Sequence, residues 1–86
     1  MAKKIRKKSR VIVFSTPTCH YCNLAKQHLK RHGISFKDVD ITRNPSAARD
    51  IKRRTGQMGV PVLEIGGKMI VGFDKPKINR LLDIRD

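Results

Sequence analysis

The stretch "VIVFSTPTCHYCNLAKQHL" constrains this chain more than any other. It opens on a β-branched and aromatic run, apolar on successive positions, which predicts a strand buried on both faces over residues 10–15. A polar turn with Pro17 follows, and then the 3.6-residue periodicity of an amphipathic helix from about Cys19 to His32. Leu24, Ala25, His28 and Leu29 fall on one face, with Lys26, Lys30 and Arg31 towards the other. Thr18 or a neighbour is expected to cap this helix, and Gly33 to end it at C′. The alternating "SFKDVDI" predicts a second strand over residues 35–41. Two strands joined through a helix form a βαβ unit, so the first pair is expected to run parallel.

The remaining elements follow from turn and cap chemistry. Asn44-Pro45 has the N-cap and N1 pattern of a helix start, and Gly56 suits its C′ position. "VPVLEI" and "KMIVGF" flank Gly66-Gly67, the signature of a two-residue hairpin. Asp74 then caps a last helix carrying Ile78, Leu81 and Leu82 at helical spacing. The order β-α-β-α-β-β-α calls for one four-stranded mixed sheet covered by three helices, an α/β fold. A chain of 86 residues has material for one such core and no second. It divides into a basic tail, residues 1–10, and a domain, residues 11–86.

The tail "MAKKIRKKSR" holds six of the twenty Lys and Arg residues. The apolar run behind it is too short for a signal peptide, which needs about 7–15 apolar residues, and no stretch has the length of a membrane span. These features predict a cytoplasmic protein with no membrane partner. In a reducing compartment, a cysteine pair does not read as a permanent staple. The formal charge is +13, and +7 without the tail. Such a field attracts anions of many kinds. With three Phe, one Tyr and no nucleic-acid motif, the chain lacks a stacking platform, and nucleic acid is not the expected partner.

Both cysteines, Cys19 and Cys22, lie where the first strand gives way to the first helix. Unpaired N–H groups and the helix dipole favour a thiolate there, and the thiolate is the nucleophile of disulfide exchange. Cys22, one turn on, is close enough to close a disulfide and lies deeper, as a resolving thiol would. A zinc site needs four ligands, whereas this pair supplies two, and His20, His28 and His32 do not converge on it. No metal is expected. Two inert core cysteines would not sit behind Pro17 among Ser15, Thr16 and Thr18. His20 is either a modulator of Cys19 or an exposed helix residue; both readings stand. His28 and His32 read as structural.

With these residues in view, the chain resembles the glutaredoxin branch of the thioredoxin-like superfamily from about Val11 to Leu82. "TPTCHYC" is similar to the family's active-site loop, Tyr21 matching the tyrosine before the second cysteine. "TGQMGVPV" is similar to the segment that holds the family's cis proline, here Pro61. A cis proline leaves the Val60 backbone open to an extended substrate. The resemblance implies a thiol–disulfide oxidoreductase with Cys19 as nucleophile and Cys22 as resolving thiol. It implies disulfide-containing protein substrates, no tightly bound cofactor, glutathione as co-substrate, and a monomer. Tyr21, Gln57, Val60, Pro61, Gly72 and Asp74 would contact substrate or glutathione.

Departures from the family pattern point elsewhere. His20 replaces the proline after the first cysteine, and Thr16 stands where many members carry a glutathione-binding lysine. Val71-Gly72 replaces a glycine pair, and "GFDKP" is similar to the Gly-Phe-x-x-Pro segment of NrdH-type redoxins, which draw electrons from thioredoxin reductase. Three alternatives therefore stand beside the glutaredoxin reading. They are an NrdH-like redoxin, an iron–sulfur carrier bridged by two chains and two glutathiones, and a basic binding module without catalysis.

Overall fold

The computed structural model describes residues 10–56 and 59–84. Arg10 aside, the basic tail lies outside them, as does Gln57. The elements are β1 (Val11–Ser15), α1 (His20–Arg31), β2 (Lys37–Asp40), α2 (Pro45–Thr55), β3 (Val62–Ile65), β4 (Lys68–Val71) and α3 (Lys75–Leu82). The sheet order is β2-β1-β3-β4. β1 and β2 run parallel; β1–β3 and β3–β4 are antiparallel. This is the four-stranded mixed sheet with three helices that the element order predicts, and the thioredoxin-like fold that the resemblance implies.

Strand alternation sorts the core into two layers. Val11, Val13, Leu63, Ile65 and Ile70 point to one face, where Ala25 and Leu29 of α1 and Ile78 and Leu82 of α3 cover them. Phe14 and Val62 point to the other, where Ile51 of α2 seals them with Ala47, Val39 and Met69 at the margin. β1 is central and buried on both sides, as its unbroken apolar run requires.

Local chemistry sets the boundaries. α1 ends in a Schellman motif: Ile34 N–H bonds Leu29 O at 2.9 Å and Gly33 N–H bonds Lys30 O at 3.1 Å, with Gly33 at φ 70°. Ile34 joins Leu29 in the same core cluster. β2 is shorter than the expected 35–41, for two reasons. Phe36 turns into the core ahead of the first paired residue, and Asp40 Oδ1 accepts the Thr42 N–H at 2.9 Å, turning the chain out of the ladder. α2 is capped by Asn44, which accepts Ala47 N–H at 3.1 Å, and α3 by Asp74, which accepts Lys77 N–H at 3.2 Å. Gly66 and Gly67, both at positive φ, make the tight β3–β4 hairpin. No described helix is long and apolar enough to cross a membrane.

Candidate active site

β1 delivers the chain to a turn in which the Cys19 N–H bonds Thr16 O at 3.3 Å. Cys19 itself is the N-cap of α1, with φ −87° and ψ 111°, and the helix proper starts at His20. The cap is thus Cys19, the neighbour of Thr18, within the expected choice of Thr18 or a neighbour. The Cys22 N–H donates to Cys19 Sγ at 3.1 Å, so the sulfur takes the place of the usual capping oxygen. The two cysteines form a disulfide across Cα atoms 5.2 Å apart, within the normal disulfide range. Cys19 is half-buried, while Cys22 is wholly enclosed. One sulfur faces the mouth and the other the core.

The first turn of α1 carries no acid, so nothing there opposes negative charge on Cys19. His20 and Tyr21 are exposed, their rings edge to face at 5.6 Å. Tyr21 keeps 61% of its surface in solvent. His28 and His32 lie away from this mouth. His28 is buried against Asn79 of α3, its Nε2 2.7 Å from the amide oxygen, and both it and His32 are stacked edge to face at 4.8 Å. These contacts agree with a structural reading.

The register gathers the other expected residues at the same end of the sheet. Phe14 pairs with Val62, so Val60-Pro61 enters β3 where β1 runs out towards Cys19. The Val60–Pro61 bond is cis. Val62 pairs with Val71, which carries Gly72 to that end, and the Gly72 N–H bonds Pro61 O at 2.8 Å. Asp74 follows, its Oδ1 occupied by the α3 cap.

One cluster was not anticipated. Ser15, the last residue of β1, donates to Asp38 Oδ1 at 2.7 Å, and Lys26 Nζ reaches Asp38 Oδ2 at 2.9 Å. Burial pushes the Asp38 carboxyl up, but the hydrogen bonds from Lys26 and Ser15 and the charges of Lys26 and Lys30 together hold it below its ordinary value. The bridge ties the end of β1, the edge strand β2 and the second turn of α1 around the cysteine turn. Its sequence signal was Lys26 one helical turn after Cys22, but nothing in the sequence named the acid. Among the described residues, no group of three or more His, Cys, Asp or Glu side chains is arranged to hold a metal ion.

Comparison with known proteins agrees with this geometry. The glutaredoxin family pattern matches residues 11–70. The chain is 38% identical over 71 residues to an uncharacterized glutaredoxin-like 8.6 kDa protein in the rubredoxin operon of Clostridium pasteurianum, covering 83% of this chain and 95% of that one. It is 32% identical over 66 residues to glutaredoxin 3 of Escherichia coli strain K12, covering 77% and 80%. Among solved structures it is similar to the glutaredoxin-like protein NrdH-redoxin of Escherichia coli, with a TM-score of 0.76 and 29% identity over 84% of this chain and 93% of that one. A redox-capable cysteine pair on a thioredoxin-like sheet, joined to this match over most of its length, makes the chain a member of the glutaredoxin family.

Proposed function

We propose that this protein is a dithiol oxidoreductase that reduces disulfides, and that Cys19 is its nucleophile. The observation that carries the reading is the capping geometry: Cys19 Sγ accepts the Cys22 N–H at the start of α1 while Cys22 is sealed from solvent. In the reduced protein the Cys19 thiolate attacks one sulfur of a substrate disulfide. A mixed disulfide forms, and the other substrate sulfur leaves as a thiolate that takes a proton. Cys22 then loses its proton and attacks Cys19 Sγ. The Cys19–Cys22 bond closes, and the second substrate sulfur leaves as a thiol. Two electrons pass from the protein to the substrate, which leaves as two thiols. Val60 and Pro61 position an extended substrate, with Tyr21, Gly72 and Asp74 at the rim; Gln57 serves the glycyl carboxylate of glutathione.

Glutathione is the first-choice electron donor, since it is anionic and meets a strongly positive protein. A second reading has specific support. Thr16 in place of the lysine, and "GFDKP", fit an NrdH-like redoxin, and a solved relative of this chain is described as having a thioredoxin-like activity profile. Following NADPH oxidation with a small disulfide separates the two. Turnover with glutathione and glutathione reductase, but not with thioredoxin reductase alone, is expected. The reverse pattern assigns the protein to the NrdH-like class. Silence in both, with Cys19 shown to be reduced and alkylatable, defeats the oxidoreductase reading.

A further inference from the structure

The redox chemistry leaves one surface unused: the outer edge of the sheet, where β4 meets α3. A groove of about 290 Å³ runs there, lined by Lys68, Met69, Ile70, Lys77, Arg80 and Leu81. Ile70 is buried in its floor, and Leu81 is half-buried on its wall. Lys77, Arg80 and Leu81 lie on one stripe of α3 at spacings of three and four, and Lys68 shares the strand face of Ile70, so cations from both elements border one apolar strip.

Two observations say what the groove would take. Among the described residues β4 pairs only with β3, so its other side is a sheet edge with backbone donors and acceptors available for pairing. Its three cations also make no ion pair among the described residues, whereas Lys26, Arg43, Arg53 and Arg54 each meet an acid. The opposite edge, β2, is different. Its acids Asp38 and Asp40 are already engaged by Lys26, Ser15 and Thr42. A second copy would therefore bring to β4 either the same positive charge or acids that are committed. One edge lysine is a common guard against such pairing; three cations around an apolar floor go further and select for an opposite charge.

We infer that the β4–α3 edge is a docking site for an extended acidic segment of a partner protein, added as a fifth strand beside β4. Its backbone would pair with Lys68–Val71, alternate apolar side chains would rest on Ile70 and Leu81, and its carboxylates would meet Lys68, Lys77 and Arg80. Val71, 43% exposed, continues the edge towards the cysteine end. The site does not depend on which electron donor serves Cys19.

The test uses the full chain in its oxidised form, so that thiol exchange plays no part. A fluorescein-labelled ten-residue peptide alternating Glu and Val is titrated by anisotropy at about 0.15 M salt, where exposed charges are screened beyond ~8 Å. Binding is expected, with backbone amide shifts concentrated at Lys68–Val71. The variant K68Q/K77Q/R80Q should bind at least tenfold more weakly with unchanged thermal unfolding. K37Q/R49Q/K52Q, with as many exposed cations removed elsewhere, should stay within twofold, and a Gln-Val peptide should not bind. Equal losses in the two triple variants would reduce the effect to the overall field and overturn the proposal. Equal binding of the Gln-Val peptide would do the same. A single-stranded oligonucleotide of matched charge that binds the same residues more tightly would make this a nucleic-acid groove instead, and concentration-dependent self-association blocked by the first triple variant would make it a contact between copies.

Discussion

His28 is the polar residue on which the docking of α1 against α3 turns, and Asn79→Ala should expose how much it costs to leave it unpartnered. The ring is 1% exposed, its Nε2 lies 2.7 Å from Asn79 Oδ1, and Nδ1 has no hydrogen-bond partner. Removing Asn79 takes the Nε2 hydrogen bond from a buried ring that keeps only its aromatic contacts with His32 and Phe73, a loss that typically costs about 1–3 kcal/mol. A domain of 86 residues has about 4–13 kcal/mol in all, so the variant sits well inside measurable range. At ~4–8 °C per kcal/mol for this size, a loss of about 2 kcal/mol lowers the midpoint by ~8–16 °C. The decisive assay is a double-mutant cycle by urea unfolding of the oxidised protein. His28→Leu alone orphans Asn79, but Asn79 is only half-buried and can turn to water, so it should cost less. In the double variant no buried polar atom is orphaned, and the cost should fall short of the two single costs combined by at least 1 kcal/mol. Additivity within ~0.3 kcal/mol would mean that the two side chains do not act as a pair and refute the reasoning.

Three further outcomes are expected. Iodoacetamide should alkylate the reduced protein and the Cys22→Ser variant once, at Cys19, and leave Cys19→Ser untouched, because Cys22 has no solvent access; mass spectrometry that finds Cys22 modified first would reverse the assigned roles. Asp38→Asn should cost ~0.5–1 kcal/mol at neutral pH, a modest figure because the carboxylate is 43% exposed. The native carboxyl is held below its ordinary value, so its contribution is complete above the unfolded value and drains as pH falls through the native one; urea midpoints of the two proteins should converge once the pH has fallen below the ordinary carboxylate range. Ile51→Ala removes the only fully enclosed side chain of α2 and should cost ~2–5 kcal/mol, with hydrogen exchange speeding first in α2; a loss under 1 kcal/mol would mean that α2 is held by something other than this plug.

The elements that sequence reasoning placed well are those that punctuation residues define. Asn44-Pro45, Gly56, Gly66-Gly67 and Asp74 each have one favoured backbone job, and each does it. Errors arose where a boundary depends on tertiary pairing. β2 starts late because Phe36 turns into the core, and it stops at Asp40, where the Thr42 turn begins and its partner strand β1 ends at Ser15; the alternation of "SFKDVDI" shows neither packing nor pairing. The cap of α1 was expected at Thr18 or a neighbour, and the choice fell on Cys19 because its sulfur accepts the Cys22 N–H. Of the candidate site, the cysteine pair and the Val60–Pro61 segment were legible as motifs. The Ser15–Asp38–Lys26 bridge was not, since it joins residues on three elements at separations that no local pattern encodes.

Charge shows the same divide more sharply. A count of +13 describes a field, and a field favours every anion alike. The fold turns that count into a distribution by deciding which cations its few acids can reach. Asp38, Asp40, Asp50 and Glu64 are drawn to Lys26, Arg43, Arg53 and Arg54, and Asp74 to a helix cap. These acids brace β2, α2 and the start of α3, and none of them reaches the β4 edge. Among the described residues no acid forms an ion pair with Lys68, Lys77 or Arg80, Asp83 at the end of α3 included, so the positive charge there is left without an answering carboxylate. A partner that offers carboxylates on an extended strand supplies what this edge lacks, whereas one that offers diffuse negative charge gains only from the general field. Salt separates these cases: the field fades as the ions screen it, while a strand paired to the β4 backbone keeps its hydrogen bonds.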